Sequence, residues 1–145
     1  MTDLDRFVQA QDAGGTYDAA LAELRDGRKR SHWMWFVLPQ PAGLGRSATA
    51  RRYAVADLTE ARAYLAHPVL GPRLLACADA LLARPGDDAV AVLGDVDALK
   101  LRSSMTMFDL ADPDEPRFRA VLAQYYDGVP DRTTVALLAP DPRSS

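Results

Sequence analysis

Ala89-Val90-Ala91-Val92-Leu93 is the stretch on which the fold class turns. It is short, wholly apolar and closed by Gly94, and by composition alone it fits a buried strand as well as a helix. A strand needs a partner, and no alternating run with a hairpin signal occurs anywhere else in the chain. The stretch is therefore read as a helix, and the whole chain as all-α.

Working outward, Asp95 or Asp97 is placed to cap a helix reaching about Leu110. Before the stretch, Val69 to Arg84 puts Leu70, Leu74, Cys77, Ala78, Leu81 and Leu82 at core spacing, with Gly71-Pro72 expected to disturb its first turn and Pro85-Gly86-Asp87 to end it. Asp57 followed by Glu60 makes a capping-box pattern for a helix with Leu58, Ala61 and Leu65 inside, and Ser47 caps one running to Val55. Nearer the start, Leu4, Phe7, Val8 and Gln11 follow Thr2 or Asp3 as caps, with Gly14-Gly15 as the stop. Thr16 opens the next helix, which Gly27 ends. Ser31 is expected to cap a short helix from His32 to about Phe36, because Pro39 and Pro41 forbid continuation. Pro39 to Ser47 is a loop expected to pack on Trp33 or Trp35. Towards the end, Phe118, Val121, Leu122 and Tyr125 mark a helix stopped by Gly128, and Asp131 caps a last one carrying Val135 and Leu138.

These readings give a single all-α domain over residues 1–139, an irregular orthogonal array of about eight or nine short helices, and a frayed tail over 140–145. The chain has 145 residues, enough for one core. Its formal net charge of -3 argues against a dedicated nucleic-acid binder, so the basic run at Arg28 to Arg30 is local. A nucleic-acid contact would need Arg46, Arg51 and Arg52 to extend that face. One cysteine, Cys77, forbids an internal disulfide and a cysteine-based metal site. With neither a signal-peptide pattern nor an apolar run long enough for a bilayer, the expected location is the cytoplasm and no membrane partner is expected.

The chemistry concentrates in two places. The first is Gly27-Arg28-Lys29-Arg30-Ser31-His32-Trp33-Met34-Trp35-Phe36, where guanidinium groups suit phosphate and indole faces suit a base or sugar. Core packing is the competing reading for the aromatics, and a solvated charge run for the arginines. The second is Leu99 to Phe108, in which Lys100, Ser103, Ser104 and Met107 share one helical face and Leu101, Met105 and Phe108 another. Lys100, Arg102 and the hydroxyls of Ser103 and Ser104 would make a phosphate or carboxylate cradle. A serine nucleophile is rejected, since neither Ser-x-x-Lys nor Gly-x-Ser-x-Gly is present. His67, before Pro68, reads as a local hydrogen-bonding partner at a helix start. No metal is expected, because His32 and His67 lack acidic residues at ligand spacing, and no nucleotide-binding glycine motif appears. No cofactor is expected either.

These same residues carry a resemblance. The stretch from Gly27 to Phe36 with Pro39-Gln40 and Gly43-Leu44-Gly45, then Tyr53, Leu70-Gly71-Pro72-Arg73-Leu74, and Leu99-Lys100-Leu101 with Ser103-Ser104-Met105-Thr106 closely resemble the bacterial family catalogued as domain of unknown function 1810. The match runs from about Leu4 to Leu138. It implies an all-α single domain and no established activity; the calpastatin-like label sometimes given to members finds no inhibitor motif here. The order of an aromatic segment and a lysine-bearing helix is also similar, at scattered positions, to small all-α hydrolases of ADP-ribosyl and phosphoribosyl N-glycosidic bonds.

The expectation is a polar and aromatic pocket where the His32 segment meets the Lys100 helix, binding an anionic, nucleotide- or sugar-phosphate-like molecule. Arg28, Arg30, His32, Trp33, Trp35, Lys100, Arg102, Ser103 and Ser104 are its candidate ligand-binding residues. If it is a hydrolase of an N-glycosidic bond, His32 and Lys100 are the catalytic candidates; whether it is an enzyme stays open at this level. The alternative is a non-catalytic module that binds a protein partner through Trp33, Trp35 and the Arg28–Arg30 cluster.

Overall fold

The computed structural model describes residues 3–138; Thr2 and the tail at 140–145 lie outside the described residues. Ten α-helical segments follow one another: α1 (Asp5–Asp12), α2 (Thr16–Asp26), α3 (Met34–Val37), α4 (Ala48–Arg52), α5 (Leu58–Ala66), α6 (Leu70–Leu82), α7 (Ala89–Leu93), α8 (Asp95–Ala111), α9 (Pro116–Tyr126) and α10 (Arg132–Leu138). Among the described residues there is no β-strand. Pro41 and Val55 form an isolated parallel bridge.

Ala89 to Leu93 is helical, as α7. Asp88 accepts a hydrogen bond from the Ala91 amide, and Ala89, Val92 and Leu93 are buried while Val90 is 49% exposed. Burial at i, i+3 and i+4 is the helical period, so the apolar run packs on one side only. α8 is the centre of the molecule. It packs against α5, α7, α9 and α10, which is why Leu101 and every residue from Ser103 to Phe108 are buried rather than those of a single stripe. α6 packs against α2, α5 and α9, and the α5–α6 pair bends by 90°. No single helix among the described residues is long and apolar enough to cross a membrane.

Most caps fall where short-range chemistry puts them. Asp57 accepts from the Glu60 amide, Ser47 from Ala50 and Asp131 from Thr134. His67 Nδ1 accepts from the amides of Val69 and Leu70 and so caps α6. Gly27 ends α2 at φ 79°. Several expectations are corrected. α1 is preceded by Leu4, with no side-chain cap. α8 follows Gly94 directly, and neither Asp95 nor Asp97 caps it, since Asp97 turns to a lysine pair. Ser31 does not cap α3, which starts only at Met34, because its hydroxyl is engaged by Glu23. α4 stops at Arg52, since Val55 instead pairs with the loop: its amide donates to Gln40 O at 2.9 Å and its carbonyl accepts from Ala42 at 2.8 Å. Gly71-Pro72 disturbs nothing. Pro72 lies in the first turn of α6, where an N–H has no intrahelical partner to lose.

Candidate functional site

Glu23, in the last turn of α2, shapes the segment that follows it. The residue is 7% exposed, and its carboxylate accepts four hydrogen bonds: from the Arg30 amide at 2.6 Å, the Ser31 amide at 3.0 Å, the Ser31 hydroxyl at 2.6 Å and the Trp33 indole at 3.0 Å. Burial alone would raise its pKa, but bonds that favour the charged form outweigh it and hold Glu23 at about 2. The chain it clamps is irregular, with a bend at Ser31 and His32, and exposure alternates along it. Arg28, Arg30 and His32 face solvent, whereas Lys29, Ser31 and Trp33 turn inward.

The inward turn brings Lys29 to α8. Its amide donates to Val92 O at 2.7 Å, and its ammonium lies 2.9 Å from Asp97 Oδ2 and 5.2 Å from the centre of the Trp33 ring. On the other side of the same carboxylate, Lys100 Nζ is 3.7 Å from Asp97 Oδ1 and 5.0 Å from the centre of the Trp35 ring. Each lysine thus has an indole for a neighbour. The tight ion pair belongs to Lys29; Lys100 holds Asp97 only loosely.

Lys100 also lines a cleft of about 270 Å³ between the loop after α3, the N-terminal half of α8 and the start of α10. Its walls are Gln40, Leu44, Gly45, Val96, Leu99, Lys100, Ser103, Asp131 and Thr133. Val96 and Leu99 are 65% and 67% exposed and give it an apolar rim. Behind the wall, Ser103 Oγ is 2.8 Å from Thr134 Oγ1, and Asp131 Oδ2 accepts from the Thr134 hydroxyl at 2.7 Å and amide at 2.9 Å. The Asp131 amide donates to Thr106 Oγ1, whose hydroxyl donates to Arg102 O.

Of the residues expected at the site, the cleft brings together Lys100 and Ser103, with Trp35 beside Lys100. Trp35 itself borders a smaller recess with Gln40, Pro41, Gly45 and Tyr53, where the loop packs on it. The others lie elsewhere. Trp33 is fully buried and its N–H is spent on Glu23, so it offers no face to a ligand or a protein partner. Arg28 and His32 are exposed and line no part of the cleft, and Arg30 pairs with Asp26 at 3.2 Å. Arg102 donates to Val129 O at 2.9 Å and lies over Tyr126. Ser104 is buried without a hydrogen-bond partner.

Sequence reasoning missed Glu23, Gln40, Leu44 and Thr133 as site residues, read Asp131 only as a cap, and read Asp97 as a cap or one of several carboxylates of unknown spacing. Lys29 stood in the basic run but was passed over for its arginine neighbours. The available signal was alternation: after Gly27 ends the helix, the exposed Arg28, Arg30 and His32 alternate with the less exposed Lys29, Ser31 and Trp33.

A larger groove of about 450 Å³ runs along Arg25, Ala76, Asp79, Ala80, Ala83, Arg84 and Pro85. There Asp79 pairs with Arg117 and Arg84 donates to Arg25 O, and the groove holds none of the expected site residues. Burial pushes the Cys77 thiol up to about 12, which removes it as a nucleophile. Among the described residues no three His, Cys, Asp or Glu side chains converge to hold a metal ion.

The fold and the cleft together define a small all-α protein. The chain belongs to the family described as protein of unknown function (DUF1810), whose model matches residues 1–138. It is similar to the conserved hypothetical protein Rv1873 from Mycobacterium tuberculosis, a crystal structure with 50% sequence identity and a TM-score of 0.91, over 96% of this chain and 98% of that one. No curated protein matches the chain.

Proposed function

We propose that the Lys100 cleft binds a small anionic molecule of the sugar-phosphate or nucleotide kind. The anionic group sits on the Lys100 ammonium, and the remainder lies against Leu44, Val96 and Leu99. One observation carries this reading: Asp97 is committed to Lys29 at 2.9 Å, so Lys100, the cationic side chain of the cleft wall, keeps its charge available for a ligand. A cleft of this size suits a small metabolite and would not enclose a drug-sized molecule. Binding is favoured over hydrolysis of an N-glycosidic bond, since His32 does not line the cleft and Asp131 is occupied in capping α10. A cytoplasmic setting goes with this function, supported by the free thiol of Cys77.

A thermal-shift screen with nucleotides, sugar phosphates, ADP-ribose and dicarboxylates tests the proposal. A compound at about a hundred times its dissociation constant stabilises by about 2.7 kcal/mol, which raises Tm by roughly 5–10 °C for a chain of this size. Lys100→Met should abolish the shift. Equal shifts in the wild type and the variant would place the anion elsewhere.

A further inference from the structure

We infer that the ligand of the cleft carries an ammonium group as well as its anionic group, as an amino-sugar phosphate or a phosphorylated amino alcohol does. The inference rests on the proposed binding function and follows from two opposite charges that the fold sets in one cleft without joining them. Lys100 and Asp131 are the charged residues of the wall; Gln40, Ser103 and Thr133 are neutral and cancel neither. Lys100 pairs with Asp97 and not with Asp131, and among the described residues no Lys, Arg or His pairs with Asp131. The arginines nearest to them in sequence do not supply the missing cation: Arg102 donates to Val129 O, and Arg132 lines no part of the cleft. Capping α10 does not consume the carboxylate. The Thr134 amide and hydroxyl both bond to Oδ2, and Oδ1 accepts from none of the described residues. Asp131 is half-buried, so solvent screens its charge only in part, and that charge acts across the cleft whichever oxygen faces it. A phosphate monoester brings about 1.5 to 2 negative charges at neutral pH, and Lys100 offsets one of them. The excess stands in the same cleft as Asp131, as like charge. An ammonium on the ligand removes that repulsion and gives Asp131 its counter-ion.

Isothermal titration with two matched pairs of probes isolates the ammonium: glucosamine 6-phosphate against glucose 6-phosphate, and phosphoethanolamine against ethyl phosphate. In at least one pair the wild type should bind the amine roughly fivefold or more tightly than its partner without the amine. Asp131→Asn and Asp131→Ser each remove the charge and keep an oxygen for the cap, so circular dichroism should show both folded. In either variant the preference should shrink to less than about twofold. Equal binding within both pairs by the wild type would overturn the inference and leave the anion site standing. A preference that survives in the folded variants would also overturn it, because the amine would then be drawn by the negative charge of the whole chain. Should no probe bind the wild type better than it binds Lys100→Met, the proposed binding function falls and this inference with it.

Discussion

At the scale of single residues, the largest effects come from groups whose partners are distant along the chain. Glu23 is the clearest case. Its folded pKa of about 2 lies below the ordinary value of 4.5, so its contribution to stability is present above pH 4.5 and is lost as pH falls towards 2. A shift of that size corresponds to about 3 kcal/mol at neutral pH. Urea unfolding followed by tryptophan fluorescence should show Glu23→Gln destabilised by roughly that amount at pH 7, with the gap to wild type closing between pH 4.5 and 2. Caps such as Ser47, Asp57 and Asp131 were legible in the sequence because each meets an amide three residues on. Glu23 was not, because its partners stand seven to ten residues away across a chain reversal. Lys29 acts at the same scale. Removing it as Lys29→Met leaves Asp97 to Lys100 alone, so the account expects phosphate-probe affinity to fall about threefold to tenfold, the size of a coupling of order 1 kcal/mol. Unchanged affinity by titration would show that Lys100 is available without help from Lys29.

At the scale of elements, the helices were readable and their ends less so. Period 3.6 located α2, α5, α6, α8 and α9 from sequence, and the lack of a strand partner decided α7. What misled was local: a serine followed by aromatics looks like a cap until Glu23 takes its hydroxyl, and the helix at Ser47 looks longer until Val55 pairs with the Gln40 loop. Gly71 shows why the bend between α5 and α6 is close. A Cβ at this position would collide with the Leu65 carbonyl oxygen, which is backbone and does not move aside cheaply. Gly71→Ala should therefore destabilise by about 1–3 kcal/mol in spite of alanine's better helix propensity, as thermal unfolding will show. An unchanged or higher Tm would mean that the two helices separate without loss.

At the scale of the whole molecule, the cleft joins three segments far apart in sequence: Gln40 to Gly45, Val96 to Ser103, and Asp131 to Thr133. Lys100 and Ser103 were named from sequence because they share one helical face. The walls opposite were not, since nothing in the spacing of a loop or of a last helix says which earlier helix it will meet. The same assembly removed Arg28, Arg30, His32 and Trp33 from the site, three by turning them outward and one by burying it. The choice between the Lys100 cleft and the larger Arg25–Arg84 groove is the central matter, and amide chemical shifts decide it. When the phosphate compound giving the largest thermal shift is titrated into labelled protein, the account predicts that perturbations centre on Gln40, Leu99, Lys100, Ser103 and Thr133. Perturbations centred instead on Arg25, Ala80 and Arg84 would contradict it.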